Sequence, residues 1–323
     1  MRRRGVGLLA ALALAVLGLA AFGPRMPAER PMSFDPSAIG PDPAAYLAAA
    51  EAEAGLVIAE AEKRIAWAGD AGARTDWAVI YLHGFSATSE ELRPVPDRVA
   101  AGLGANLYFA RLAGHGQGGA ALGQARMADW WHDLAEAMEI GRRIGERVLV
   151  IGTSTGGTLA ALAATEPDLA RDLGGIVFVS PNFGLVDRRA RLLTLPFARA
   201  WLPLVAGRTR GFEPRGPRHG RYWTTRYPVT ALVPMATAVA EARRRDVSAV
   251  TTPALFLFSD ADEIVDAADT RAAAARWGGP AVLAPVEMGP GDDPAAHLVA
   301  GDILSPGQTA PVTARILDFA RGL

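Results

Sequence analysis

Seven short runs along the chain are largely apolar, with little alternation: 64–67, 77–82, 106–110, 148–151, 176–180, 254–258 and 281–286. Runs of that length and character are the pattern of strands buried on both faces. Between most of them lie stretches with helical spacing, at 44–61, 90–103, 127–144, 155–164, 267–277 and 311–321. Strands alternating with helices predict an α/β domain, a mostly parallel central sheet with helices on both faces.

One interval departs from this rhythm. Residues 182–250 contain no convincing strand but two helix-like segments, 188–205 and 230–245, around a middle rich in Gly, Pro and Arg. The interval predicts a helical cap inserted over the carboxyl edge of the sheet. It carries 13 arginines against four acidic residues, which reads as a solvated helical face ahead of a dedicated anion site. Its aromatic residues Phe197, Trp201, Tyr222, Trp223 and Tyr227 either line an apolar pocket or pack the cap onto the sheet, and packing is the expectation.

The chain begins differently. Arg2, Arg3 and Arg4 precede an uncharged leucine- and alanine-rich stretch at 5–22, the charge and hydropathy pattern of an export signal and just long enough to span a bilayer. Residues 1–23 are therefore expected to be a signal peptide or an N-terminal membrane anchor, with the rest of the chain outside the cytoplasm. The proline-rich residues 24–43 read as a linker, and 44–323 as the domain with its cap.

Composition narrows the chemistry. The formal net charge of -1 gives no sign of a nucleic-acid partner. Without cysteine, thiol catalysis and disulfides are excluded. Lys63 is the sole lysine, far from any glycine-rich corner, which removes a phosphate-binding P-loop and a serine–lysine mechanism. No H-E-x-x-H is present and the glycine-rich corner around Ser154 lacks the G-x-G-x-x-G arrangement of a dinucleotide site, so no metal, nicotinamide or flavin cofactor is expected.

The sequence VLVIGTSTGGTLAALAA, 148–164, runs from a strand through a glycine-flanked serine into a helix. Gly152-x-Ser154-x-Gly156 has the spacing of a nucleophile elbow, which lifts the serine hydroxyl above the sheet and turns the Thr155 amide toward a developing oxyanion. A serine nucleophile needs a base and a group to orient it. Of the five histidines, His297 and His219 follow the serine; His297 fits better, lying in a loop after the last strand. The segment 254–266 offers Asp262 as the acid, with Asp260 next and Asp187 a distant third. His83-Gly84-Phe85 directly follows a strand and supplies a second oxyanion donor, the Phe85 amide; His83 itself reads as tied to backbone at a strand end.

HGF at 83–85, RLAGHG at 111–116, GTSTGG at 152–157, SDADEIV at 259–265 and His297 together resemble the α/β-hydrolase superfamily, and within it serine hydrolases of the monoacylglycerol-lipase and carboxylesterase type. The resemblance covers roughly 64–323. It implies acyl transfer to Ser154, with His297 as base, Asp262 orienting it and the Phe85 and Thr155 amides holding the oxyanion. The implied substrate is a small, hydrophobic carboxylic ester, met at a membrane surface. A thioesterase or serine peptidase uses the same machinery, and a membrane-tethered binding protein on an inactive scaffold is the reading from a different class.

Overall fold

The computed structural model describes residues 18, 22–30 and 34–323. Most of the apolar 5–22 run, with its leading arginines, lies outside the described residues. Among those described, no helix is long and apolar enough to cross a membrane.

The strands are β1 (Arg64–Ala66), β2 (Thr75–Leu82), β3 (Asn106–Phe109), β4 (Gly145–Thr153), β5 (Leu173–Val179), β6 (Thr209–Gly211), β7 (Arg226–Pro228), β8 (Ala254–Phe258) and β9 (Ala281–Pro285). Seven of them form one sheet in the order β1-β3-β2-β4-β5-β8-β9. Only the β1–β3 pair is antiparallel. All seven expected sheet strands appear.

Alternation along each strand divides the core in two. Ile80, Val148, Val150, Phe178 and Phe256 face one side, against helices Met127–Ile144 and Thr155–Ala164. Val79, Leu149, Ile151, Val177 and Leu257 face the other, against helices Val95–Leu103 and Pro306–Arg321. Period-2 side chains that are apolar in both directions explain why these strands read as continuous runs. Helix Thr155–Ala164 is buried along all ten residues, a position its glycines and alanines allow.

The chain leaves β2 to one side to form β3 and returns to its other side for β4. Connections therefore diverge between the carboxyl ends of β2 and β4, the place where open α/β sheets hold their ligands.

The 182–250 segment differs from its expectation in two ways. The 188–205 stretch is a 3-10 helix, Arg188–Thr194, and a separate α-helix, Ala198–Val205. Pro196 enforces the break, because the residue before it, Leu195, is held extended at φ -68°, ψ 158°. In the middle, β6 and β7 pair as a short antiparallel ribbon, too brief to leave a hydrophobic pattern. The remaining α-helices of the segment are Pro217–Tyr222 and Leu232–Arg244, with 3-10 turns at Val229–Ala231 and Val247–Ala249.

Residues 22–30 and 34–43 lie along the domain. The Trp131 indole donates to Ala28 O at 2.9 Å, Phe197 N to Pro24 O at 2.8 Å, and Arg30 meets Asp168 at 2.7 Å. Ile39, in the 3-10 turn Pro36–Ile39, is part of the main core.

Candidate active site

Ser154 closes β4 and caps the following helix with φ 50° and ψ -112°, a conformation that a side chain adopts only when its surroundings enforce it. The surroundings do so. Ser154 N donates to Val179 O at 2.9 Å, and Ser154 O accepts from Thr158 N at 3.1 Å and Asn182 N at 3.0 Å. The flanking glycines are steric requirements: a Cβ on Gly152 would stand 2.6 Å from Gly156 O, and one on Gly156 only 2.0 Å from Leu82 O. The serine is thereby held at the β2–β4 crevice, buried at 7% exposure.

The loop after β2 forms one wall. A Cβ on Gly84 would meet Cβ of Ser154 at 3.3 Å. The Phe85 N–H donates to no described residue, and its ring meets Tyr227 edge-on at 5.3 Å. His83 is fixed at both nitrogens: Nε2 accepts from Leu112 N at 3.0 Å, so Nδ1 carries the proton toward Gly84 O at 2.9 Å. Burial pushes its pKa down to about 4, which keeps it neutral. Gly114 and Gly116, in the GHG turn, both have positive φ.

The loops after β8 and β9 meet at a carboxylate and an imidazole. Asp262 Oδ2 lies 2.8 Å from His297 Nδ1, and its Oδ1 accepts the N–H groups of Ile264 at 2.8 Å and Val265 at 2.9 Å. A carboxylate only accepts, so Nδ1 is the donor and the Nε2 lone pair is left for proton transfer. Asp293 holds the His297 backbone N–H at 3.2 Å. Burial alone would push the His297 pKa down; the Asp262 carboxylate, with Asp293 and Glu91 behind it, raises it instead. Neither Ser154 Oγ nor His297 Nε2 makes a hydrogen bond to a described residue.

The other sequence candidates lie elsewhere. Asp260 is exposed and paired with Arg271 at 2.6 Å, and Asp187 is exposed and paired with Arg189 at 2.8 Å. His219 accepts from Arg215 N at 3.1 Å and packs between Phe212 and Trp223. Tyr222, Trp223 and Tyr227 are buried as packing, Trp201 is half-buried and Phe197 is exposed. The arginines of 182–250 do not simply face water: Arg188 pairs with Asp266 and Asp269, Arg243 with Asp269, Arg215 with Asp293, and Arg218 with Glu90.

Two carboxylates at the site were not singled out in the sequence, Glu91 and Asp293. Glu91 lies in an acidic pair ahead of a helix, the usual setting of a solvated first turn, and only the fold buries it. A cleft of about 290 Å³ in the 182–250 segment is lined by Met235, Ala236 and Val239 together with Arg191 and Arg243, and by none of Ser154, Asp262 and His297. Met235 Sδ accepts from the Asn182 amide at 3.3 Å, one residue contact from the elbow. Among the described residues no group of acidic and histidine side chains is arranged to hold a metal.

Comparisons with known proteins agree with this architecture. A thermostable monoacylglycerol lipase of Bacillus sp. (strain H-257) is 27% identical over 188 residues, 58% of this chain and 71% of that protein. A structure reported for the metagenome-derived lipolytic enzymes LipS and LipT superposes with a TM-score of 0.67 at 21% identity, covering 83% of this chain and 100% of that one. A soluble variant of the monoglyceride lipase of Saccharomyces cerevisiae gives 0.60 at 11% identity, covering 82% and 96%. At these identities the two structures speak for the fold alone. The family model described as serine aminopeptidase, S33, matches residues 73–282, and the chain belongs to that α/β-hydrolase family.

Proposed function

We propose that this protein hydrolyses small hydrophobic carboxylic esters through an acyl-enzyme on Ser154. The observation that carries the reading is the part-buried Asp262–His297 pair, 2.8 Å apart, on the same sheet edge as a serine held in a strained elbow. His297 Nε2 takes the hydroxyl proton as Ser154 Oγ attacks the ester carbon, and Asp262 stabilises the imidazolium. The Phe85 and Thr155 amides take the oxyanion. The imidazolium then protonates the leaving alcohol, and a water activated by the same imidazole releases the acid. The lipase activity named for the Bacillus relative supports a lipophilic acyl group, and the apolar cleft beside Met235 is where we place it.

The 182–250 segment acts as a cap in this reading, since Thr224 N donates to Ser86 O and Tyr227 sits on Phe85, beside Ser154. The family's aminopeptidase designation favours a second activity, hydrolysis of an aminoacyl amide, which needs the same groups. Purified protein is to be assayed on p-nitrophenyl esters of rising chain length, a thioester and an aminoacyl amide, with Ser154→Ala as control. Ester turnover and fluorophosphonate labelling that both vanish in the variant support the proposal. Equal labelling of both proteins rejects it, and preferential amide cleavage moves the function to a peptidase.

A further inference from the structure

We propose that Glu91 is a positioning residue for this reaction: its carboxylate ties the loop carrying one oxyanion donor to the strand end carrying the nucleophile. The inference rests on the hydrolase reading above. Glu91 closes the 3-10 turn Ser89–Glu91 and is 1% exposed. Its Oε1 accepts two hydrogen bonds, one from Gly84 N–H, the peptide preceding Phe85, and one from the Tyr81 hydroxyl at 2.8 Å. The Tyr81 oxygen also lies 3.0 Å from Thr153 Oγ1, in the residue preceding Ser154. Because the Tyr81 proton is given to Glu91, Thr153 is the donor in that last bond. An unbroken hydrogen-bonded chain therefore links the residues immediately ahead of Phe85 and Ser154.

The fit leaves little room for movement. A Cβ on Gly84 would be 3.0 Å from Glu91 Oε2 and 3.3 Å from Ser154 Cβ, so carboxylate, glycine and serine are layered in contact. An ionised acceptor holds an amide about twice as strongly as a neutral one, and displacing an oxyanion donor by a fraction of an ångström weakens its contact with the developing charge. Glu91 acts through Gly84 and Tyr81 and touches no reacting atom.

The tie is also sensitive to protons. Burial pushes the Glu91 carboxyl up to about 7, against the pull of the Gly84 and Tyr81 bonds and of His297. The ionisable groups facing it are Tyr81 from β2 and His297 from the loop after β9; Glu90 turns instead to Arg93, Arg64 and Arg218. Oε2 accepts no hydrogen bond from the described residues, so it is where the proton adds. Protonation leaves both Oε1 bonds in place but makes them neutral. It does so in the range where His297 also loses its basic form, so the two groups titrate as a coupled pair.

The test compares the full chain with Glu91→Gln, Glu91→Ala, Tyr81→Phe and Ser154→Ala, following kcat and KM for a short p-nitrophenyl ester from pH 5 to 9, with thermal melts in parallel. Glu91→Ala is expected to lose about 10- to 100-fold in kcat with KM changed less than about threefold, part of what a lost oxyanion donor costs. Glu91→Gln keeps an acceptor and falls between. In the wild type the acid limb of kcat/KM is steeper than one ionisation; in Glu91→Gln it becomes a single ionisation, shifted to lower pH because His297 has lost a facing anion. Tyr81→Phe lowers kcat and keeps the steep limb. An unchanged limb in Glu91→Gln overturns the proposal, since a merely structural glutamate would alter the melt and not the profile. Should Glu91→Ala fail to fold, Glu91→Gln and Tyr81→Phe decide. Ser154→Ala separates the two levels: if it is inert while Glu91→Gln matches wild type, the tie alone fails, and if it retains turnover, the hydrolase reading fails and takes the tie with it.

Discussion

The Arg215 guanidinium lies 2.7 Å from Oδ1 of Asp293, whose Oδ2 holds the backbone N–H groups of His297 and Leu298. A side chain from the 182–250 segment thus braces the loop that carries the candidate base. Arg215 is partly exposed, so Arg215→Met is expected to cost only about 0.5–1 kcal/mol of stability. Its effect on turnover should be larger in proportion, a several-fold loss in kcat/KM. Asp293→Asn, which weakens a buried acceptor of several N–H groups, should cost about 1–3 kcal/mol. Melts and ester kinetics on the two variants check the order.

Stability and activity are expected to part company with pH. Burial, chiefly, depresses the pKa of His83, His115 and His219. The unfolded chain takes protons there that the folded one refuses, so stability falls as pH drops below the ordinary histidine value of about 6.5. Glu91 and His297 are raised. Their protons are held by the folded state, and the stability they contribute is lost as pH rises: for Glu91 between its ordinary 4.5 and about 7, for His297 from about 6.5 up through its folded value. Each fully linked group contributes a slope of about 1.4 kcal/mol per pH unit. The melting temperature should therefore peak near pH 6.5, while turnover, which needs neutral His297, continues to climb. Glu91→Gln should steepen the rise on the acid side between about 4.5 and 6.5 and flatten the decline above it only up to about 7.

The sole lysine has a structural task. Lys63 Nζ lies 3.0 Å from Asp133 and 2.6 Å from Glu136, all three side chains being buried, and Tyr46 and Tyr108 donate to the same glutamate. Lys63→Met would leave two carboxylates facing each other without a cation, and about 3–5 kcal/mol of stability should be lost. Chemical denaturation measures this directly. A double change, Lys63→Met with Glu136→Gln, should recover part of it.

If the cleft beside Met235 takes the acyl chain, filling it should shorten the preferred substrate. Val239→Trp is expected to lower kcat/KM for long-chain p-nitrophenyl esters by about tenfold or more while sparing the acetate, since one or two methylenes of pocket are worth about 1–3 kcal/mol. Equal loss at every chain length would place the acyl group elsewhere.

The sheet was readable because its strands are buried on both sides: Val148 and Leu149 point in opposite directions and both meet apolar helices. The elbow was readable because the bend permits nothing larger than hydrogen at Gly152 and Gly156. The β6–β7 ribbon left no trace, since three residues per strand, with Tyr227 the one buried side chain among the six, impose no pattern. Glu91 and Asp293 were unreadable for another reason. An acidic residue signals burial only through its partners, and Gly84, Tyr81, Arg215 and the His297 backbone are brought to them by folding. Spacing favoured Asp262 over Asp260; in the structure Asp262 lies against His297, while Asp260 is exposed and paired with Arg271.

Pro24 O accepts from Phe197 N, immediately ahead of helix Ala198–Val205. Traction on the polypeptide upstream of residue 22 would therefore load the 182–250 segment before it reaches any strand of the sheet. A pull transmitted through that bond would act first on helix Ala198–Val205, so mechanical tension at one extremity becomes a force on the start of that helix.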